Sequence, residues 1–222
     1  MKRLDIDTIL SFKGLIFDLD GTLLDSMRVW TEVDERFLQK RGFEVTQDYT
    51  DVVKSCSMRQ SAEYTIKRFG LKETPDEVIA EWYADVEKEY RDNIMLKKGS
   101  KEILLKAKGK GIKILSATAL NRNNALSALR NNGVLDLFDH VVTLDDVDFG
   151  INKCDPHIFE VTAGKAGVKP SECLVFEDVL GACLGAQKGG FKTAIVYDEV
   201  SRADYEEGIK VADYFVEDWS VI

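Results

Sequence analysis

Short apolar runs rich in β-branched residues alternate with helical segments along most of this chain, and this alternation is the strongest constraint on its fold. The runs expected to form strands are residues 15–17, 112–116, 140–143, 174–176, 193–196 and, more weakly, 214–216. The segments expected to form helices are residues 100–110, 123–131, 156–166, 181–189 and 203–211. Strands separated by helices pair in parallel. The sequence therefore predicts an α/β fold built on a doubly wound parallel sheet.

The alternation stops between residues 26 and 95, where the apolar spacing becomes helical. Trp30, Val33 and Phe37 are three and four residues apart, and Val78, Trp82 and Val86 follow the same rule. Such spacing gives each helix one apolar stripe, and we expect both tryptophans to lie in the core. The sequence thus predicts a catalytic core of residues 1–25 and 96–222, with residues 26–95 inserted as a helical cap that acts as a lid.

Composition indicates a folded protein that does not bind nucleic acid. The chain has 222 residues, of which 45% are hydrophobic, and a formal net charge of −9. This is enough apolar material for a real core, and the sequence has no dense basic block of the kind that binds nucleic acid. A small phosphorylated ligand stays compatible with the acidity, because one divalent cation and a few basic side chains reverse the local field.

Targeting and redox features predict a cytoplasmic protein. Asp5 and Asp7 follow the N-terminal basic residues where a secretory signal would have a long apolar stretch, and no run approaches the roughly 20 apolar residues of a membrane span. The two histidines and the scattered cysteines disfavour zinc. The cysteines are expected to be reduced and buried or partly buried thiols; they are Cys56, Cys154, Cys173 and Cys183.

Two aspartates follow the first predicted strand in the string Asp18-Leu19-Asp20-Gly21. In an open α/β sheet, ligands bind at the carboxyl ends of the strands, so this position suits a reacting group. We expect Asp18 to act as a nucleophile toward a phosphoryl group, and Asp20 to act as general acid and then as base. Both partners of the first step are anionic. A Mg²⁺ ion bound by carboxylates would neutralise the developing charge.

Further polar residues follow three later elements. Glu177 and Asp178 end a predicted buried strand and are expected to complete the metal site. Thr118 ends another strand, where its hydroxyl can hold a phosphoryl oxygen. Lys153 precedes a helix start, where its ammonium can neutralise both the phosphoryl group and Asp18.

Together these residues resemble the four ordered motifs of the haloacid dehalogenase superfamily, in its capped phosphatase and phosphomutase branch. The motifs are residues 18–26, Thr118, residues 153–159 and residues 176–178. The resemblance implies a Mg²⁺-dependent phosphatase with Asp18 as nucleophile, Asp20 as acid and base, and Thr118 and Lys153 as phosphate binders. It also implies metal ligation by Asp18, the Asp20 backbone carbonyl and Asp178.

Several residues that differ from the family pattern, or that lie in the predicted cap, leave the identity of the substrate undetermined. Ala119, Cys154 and Val179 stand where the family often has Asn, Pro and Ser, and none of these departures removes a reacting group. Arg59 lies where related caps place an arginine that grips phosphate, although an exposed helix-end charge explains it equally well. Selectivity is expected to come from cap side chains, with these candidates: Arg28, Lys54, Met58 and Arg59.

Three other functions compete with a phosphatase acting on a small phosphorylated metabolite such as a sugar phosphate. A phosphomutase like β-phosphoglucomutase uses the same nucleophile, but such enzymes carry a histidine twelve residues after it, where this chain has Trp30. A dehalogenase needs neither Asp20 nor Asp178. A non-catalytic binding protein on the same fold would be expected to lack at least one reacting residue. The sequence leaves the oligomeric state undecided.

Overall fold

The computed structural model describes residues 2–53, 56, 58–147 and 152–222, with Asp51 described in its backbone only. The chain divides into two compact units. The larger unit comprises Met1–Met27 and Ile94–Ile222, and the smaller unit is Arg28–Asn93. The smaller unit is therefore two residues shorter at each end than the predicted cap, and its role as a lid stays a prediction.

The larger unit contains a seven-stranded parallel sheet. Its strands are β1 (Lys2–Arg3), β2 (Gly14–Phe17), β3 (Lys113–Thr118), β4 (His140–Thr143), β5 (Cys173–Glu177), β6 (Lys192–Val196) and β7 (Tyr214–Val216). Their order across the sheet is β1-β7-β6-β5-β2-β3-β4. The chain builds outward from β2 to β4 and then returns to the other side of β2, which confirms the doubly wound fold. The two-residue strand β1 was not predicted, because it is too short to show a pattern.

Ten α-helices occur in the part of the chain that the structure describes. They are α1 (Ile6–Ile9), α2 (Val29–Gln39), α3 (Gln47–Val53), α4 (Met58–Phe69), α5 (Pro75–Asp92), α6 (Ser100–Gly109), α7 (Arg122–Asn131), α8 (His157–Lys165), α9 (Leu180–Lys188) and α10 (Arg202–Gly208). Helices α2 to α5 form the smaller unit. The short helix α1 was not predicted; the side chain of Asp5 caps it by accepting from the backbone N–H of Thr8 at 2.8 Å.

Three aromatic rings pack together at the centre of the sheet, and two of them directly precede the acidic residues Asp18 and Glu177 in the chain. Phe17 and Phe176 stack with their ring centroids 4.5 Å apart, and the ring of Trp219 lies 5.2 Å from Phe176. The indole N–H of Trp219 donates to the carbonyl oxygen of Thr22 at 3.0 Å. Every residue of β2 and β5 is buried. These contacts hold the ends of both strands and the turn that follows β2 in fixed positions.

The smaller unit buries one face of each long helix. On α5, Val78, Trp82 and Val86 are buried, and the Trp82 ring packs edge to face on Phe37 with centroids 5.5 Å apart. Trp30 is a correction, because it is 40% exposed and not part of the core. The buried stripe of α2 begins at Val29, and the next position is turned about 100° away from it.

The structure also bears on the predicted burial of the cysteines and on the predicted absence of a membrane span. Cys173 and Cys183 are buried as expected, but Cys154 is exposed, because it lies in the loop before α8. In the described part of the chain, no helix is both long enough and apolar enough to cross a membrane. The cytoplasmic location stays a prediction.

Candidate active site

The predicted reacting residues lie at the carboxyl ends of three neighbouring strands. Asp18 directly follows β2, Thr118 is the last residue of β3, and Glu177 is the last residue of β5. These ends meet where the chain changes direction across the sheet, the usual position of a ligand site in this kind of fold. A cavity of about 220 Å³ opens there. Six predicted residues line it: Asp18, Asp20, Thr118, Lys153, Glu177 and Asp178.

Three of these residues form a buried carboxylate cluster. One oxygen atom from each of Asp18, Glu177 and Asp178 lies within 4.8 Å of the others. Burial, reinforced by the negative charge of Asp18, raises the pKa of Asp178 to about 6. Burial also raises the pKa of Glu177 well above its ordinary value. The negative charge of Asp18 thus adds to burial in opposing the ionisation of Glu177 and Asp178.

Lys153 is the cation that faces this cluster. Its Nζ atom lies 2.6 Å from Asp18 Oδ1 and 2.5 Å from Glu177 Oε1, and its side chain is only 12% exposed. Burial alone would lower the pKa of Lys153, but the charges of Asp18 and Glu177 outweigh burial and raise it above the ordinary value. Lys153 is therefore a permanent positive charge beside the predicted nucleophile.

The cluster has the composition of a divalent cation site. Glu177 Oε1 is paired with the Lys153 ammonium, whereas Glu177 Oε2 is buried without a hydrogen-bond partner among the described residues. A buried carboxylate oxygen without a donor is costly unless another charge compensates it. When all three carboxyl groups are ionised, one lysine leaves two negative charges uncompensated, and a hard dication with oxygen ligands would balance them. The residues present therefore fit Mg²⁺.

Asp20 lies on the turn after β2 and is held by a nearby hydroxyl. Ser26 Oγ donates to Asp20 Oδ1 at 2.5 Å, which orients a carboxyl group that is only partly buried. On β3, Thr118 Oγ1 accepts from the backbone N–H of Leu120 at 3.2 Å. That bond uses a lone pair of the Thr118 hydroxyl, so its hydrogen can be donated to a ligand oxygen.

The position of Lys153 depends on two glycines of α9 that sequence reasoning did not single out. A Cβ atom on Gly185 would overlap the backbone carbonyl of Lys153, and one on Gly181 would lie 2.9 Å from Cys154 Sγ. Glycines four residues apart face the same side of a helix, so the pair makes a flat surface for the loop before α8. That spacing was the only sequence indication of this role.

The smaller unit carries the other predicted residues. Arg59 is 60% exposed along its side chain, and its guanidinium lies 2.9 Å from Asp76 Oδ1 and 3.5 Å from Glu63 Oε1. Arg59 therefore forms ion pairs with neighbouring carboxylates, and its role as a phosphate ligand stays a prediction. Arg28 is exposed before α2. Lys54 lies outside the described residues.

A second cavity, of about 360 Å³, lies within the smaller unit. Met58, Trp30, Trp82 and Asp34 are among the residues that line it. Burial raises the pKa of Asp34 to about 6, against a hydrogen bond with Tyr49 that lowers it. This cavity combines aromatic walls with one carboxyl group, a composition typical of sites for small organic groups.

The fold and the cluster together define a doubly wound α/β protein with a group of buried carboxylates at the ends of its central strands. The sequence profile of the haloacid dehalogenase-like hydrolases matches residues 15–196. The chain belongs to this family.

Individual relatives agree with that assignment. Validoxylamine A 7'-phosphate phosphatase of Streptomyces hygroscopicus subsp. limoneus is 30% identical over 182 residues, which cover 81% of this chain and 83% of that protein. Phosphorylated carbohydrates phosphatase of Thermotoga maritima is 25% identical over 180 residues, 81% of this chain and 82% of that protein. The comparisons confirm the predicted family and the predicted class of enzyme, a phosphatase of the haloacid dehalogenase type.

A solved structure shares the fold. The crystal structure of a candidate β-phosphoglucomutase from Thermotoga maritima superposes with a TM-score of 0.81 at 23% identity, covering 94% of this chain and 96% of that one. At this identity the likeness extends to the architecture and not to the reaction.

Proposed function

We propose that this protein is a Mg²⁺-dependent phosphatase that hydrolyses the phosphate monoester of a small polyhydroxylated metabolite, such as a sugar phosphate, through an aspartyl-phosphate intermediate. The observation that carries the proposal is the Asp18 carboxylate at the end of β2. It lies in a cavity, 2.6 Å from the Lys153 ammonium and within 4.8 Å of two further carboxylates. The names of the two phosphatase relatives support a carbohydrate-like substrate.

In the first step, an oxygen of Asp18 attacks the phosphorus atom, and the bond from phosphorus to the leaving oxygen breaks. Asp20 gives its proton to that oxygen, which leaves as an alcohol. In the second step, Asp20 takes a proton from water while the water oxygen attacks phosphorus. The bond to Asp18 breaks, and inorganic phosphate leaves. Ser26, which donates to Asp20 Oδ1, keeps the acid and base in one orientation.

The remaining residues hold the transferred group. Lys153 balances the charge of the phosphoryl oxygens and of Asp18, and the Thr118 hydroxyl donates to one of those oxygens. Asp18, Asp178, Glu177 and the backbone carbonyl of Asp20 would hold Mg²⁺, which when bound supplies positive charge at the anionic phosphoryl group. We propose further that the smaller unit acts as the cap and selects the organic part of the substrate.

The test is a phosphate-release screen over a panel of phosphorylated metabolites, with Mg²⁺ and with EDTA, for the wild type and for Asp18→Asn. The expected result is turnover that requires the metal and falls by about 10⁴-fold or more in Asp18→Asn, because an amide is a poor nucleophile. Full activity in that variant would exclude the covalent mechanism. A sulfate-free buffer avoids a competing anion.

The phosphomutase is the second candidate, supported by the shared fold with the candidate β-phosphoglucomutase. Trp30 occupies the place of the histidine that such mutases carry, and its indole has no basic nitrogen to move a proton. Incubation with a hexose 1-phosphate separates the two reactions. Hydrolysis releases inorganic phosphate, whereas a mutase would form the 6-phosphate isomer.

A further inference from the structure

Lys97 is a largely buried lysine that does not line the cavity and has no part in the reaction proposed above. Its Nζ atom donates to the carbonyl oxygen of Gly21 and, at 2.8 Å, to that of Tyr197. The same atom lies 2.9 Å from Asp198 Oδ2. The side chains of Lys97 and Asp198 are 16% and 8% exposed. An ammonium group has three hydrogens, and here each has an acceptor.

The first acceptor belongs to the turn that carries the reacting aspartates. Gly21 follows Asp20, has a φ of +70°, and packs so closely on Asp178 that a Cβ atom would overlap the Asp178 carboxylate. The peptide that Lys97 holds is therefore the one that lies against a predicted metal ligand. Only glycine combines this backbone conformation with this close approach.

Asp198, the other partner of Lys97, connects to the same carboxylate through a different segment, the loop after β6. Asp198 Oδ1 accepts from the backbone N–H of Val200 at 2.9 Å, which shapes the loop after β6. That loop brings Ser201 to Asp178, where Ser201 Oγ donates to Asp178 Oδ2 at 2.6 Å. The contacts close a ring that runs from Lys97 through Gly21, Asp178, Ser201 and Asp198 back to Lys97.

We propose that Lys97 and Asp198 are positioning residues, which act through Gly21 and Ser201 to hold the Asp178 carboxylate in the orientation that binds the divalent cation. This proposal rests on the metal-dependent function proposed above. Neither residue lines the cavity among the described residues, so their effect reaches the reaction only through Asp178 and the aspartate turn. Partners that orient a metal ligand commonly change metal affinity by about 10- to 100-fold when they are removed.

The principal variant is the double substitution Lys97→Met with Asp198→Asn. It removes the ion pair without leaving either charge buried alone, a state that would itself destabilise the protein. Asp198→Asn alone keeps Lys97 on both carbonyl groups and is expected to show a smaller effect in the same direction. If the double variant does not fold, the metal affinity of Asp198→Asn tests the proposal. Lys101→Met is the matched control, because Lys101 Nζ also donates to a backbone carbonyl, that of Asn132 at 3.0 Å.

The first measurement is Mn²⁺ binding to metal-free folded protein, followed by the electron paramagnetic resonance of free Mn²⁺. We expect the dissociation constant to rise by about tenfold or more in the double variant, by a smaller factor in Asp198→Asn, and to stay unchanged in Lys101→Met. The Mg²⁺ concentration for half-maximal turnover should rise in parallel, whereas the KM for substrate at saturating Mg²⁺ should stay near the wild-type value. A purely structural role would lower thermal stability without this separation.

Two outcomes distinguish the failure of this proposal from that of the proposed function. If wild-type protein binds Mn²⁺ and needs a metal for turnover, but folded variants bind it equally well, the positioning role is wrong and the function stands. If wild-type protein binds no divalent cation and its turnover is indifferent to EDTA, the metal-dependent function is wrong, and this proposal fails with it.

Discussion

Lys153 Nζ lies 2.6 Å from Asp18 Oδ1, and both groups are largely withdrawn from solvent. The pairing joins the loop before α8 to the end of β2, more than 130 residues apart in the chain. A carboxylate paired in this way is held in one orientation, which an oxygen nucleophile needs in order to attack in line. The same pairing makes the site depend on the exact path of the loop that carries the lysine.

Lys153→Met is expected to abolish most of the activity and to lower stability. The substitution leaves Asp18 and Glu177 buried without their cation, which costs about 3–5 kcal/mol in comparable cases. Urea unfolding in EDTA, followed by circular dichroism, measures the loss. Lys188→Met is the control, because the exposed Lys188 donates to the carbonyl oxygen of Cys154 in the same loop and its loss should change stability by about 0.5 kcal/mol or less. Equal midpoints for Lys153→Met and wild type would contradict the interpretation.

Gly185→Ala is expected to reduce turnover, because the new methyl group must push the backbone at Lys153 away from α9. A displacement of about 1 Å at a reacting group can cost about 100-fold in rate. Gly164→Ala is the matched control in α8, where a Cβ atom would meet open space. That change should stabilise the protein by about 0.5–1 kcal/mol and leave turnover intact. Comparable activity in the two variants would show that the close approach at Gly185 is unimportant.

Asp34 should make stability depend on pH. Its pKa is raised to about 6 by burial, from 3.8, so the folded state holds the proton more tightly than the unfolded state. The contribution of Asp34 is therefore most favourable below pH 4 and is lost as the pH rises through 6. Relative to Asp34→Asn, the wild type should lose up to about 3 kcal/mol of unfolding free energy between pH 4 and pH 7.5.

Urea unfolding at several pH values measures this difference for Asp34. Glu35→Gln, an exposed position on the same helix, serves as the control and should run parallel to the wild type. Parallel curves for Asp34→Asn and wild type would mean that the carboxyl group is better solvated than its burial indicates.

Mg²⁺ should stabilise the folded protein through the carboxylate cluster. A cation that binds only the folded state adds about 2.7 kcal/mol when its concentration is 100 times the dissociation constant. We expect the thermal midpoint to rise with Mg²⁺ in the wild type and to respond far less in Asp178→Asn. Without metal, that variant should be at least as stable as the wild type, because it removes one of three mutually repelling carboxylates. An identical response to Mg²⁺ would remove Asp178 from the metal site.

The sequence by itself determined the fold class and the predicted set of site residues that the structure brings together at one edge of the sheet. Short continuous apolar runs and helical segments alternate clearly, because strands buried on both faces and the helices that cover them have different apolar patterns. Asp18, Thr118 and Glu177 could be placed for the same reason: each ends a strand, and parallel strands end at one edge. Helical spacing also identified the smaller unit, although it misjudged Trp30 by one position around the helix.

Only the tertiary structure decided how those groups are held. The glycines of α9 seat Lys153, the Ser201 hydroxyl reaches Asp178, and Lys97 connects Gly21 to Asp198. Each of these contacts joins segments far apart in the chain, and none leaves a periodic trace in the local sequence. Such contacts depend on packing distances of a few tenths of an ångström, which side-chain spacing along one strand or helix does not encode.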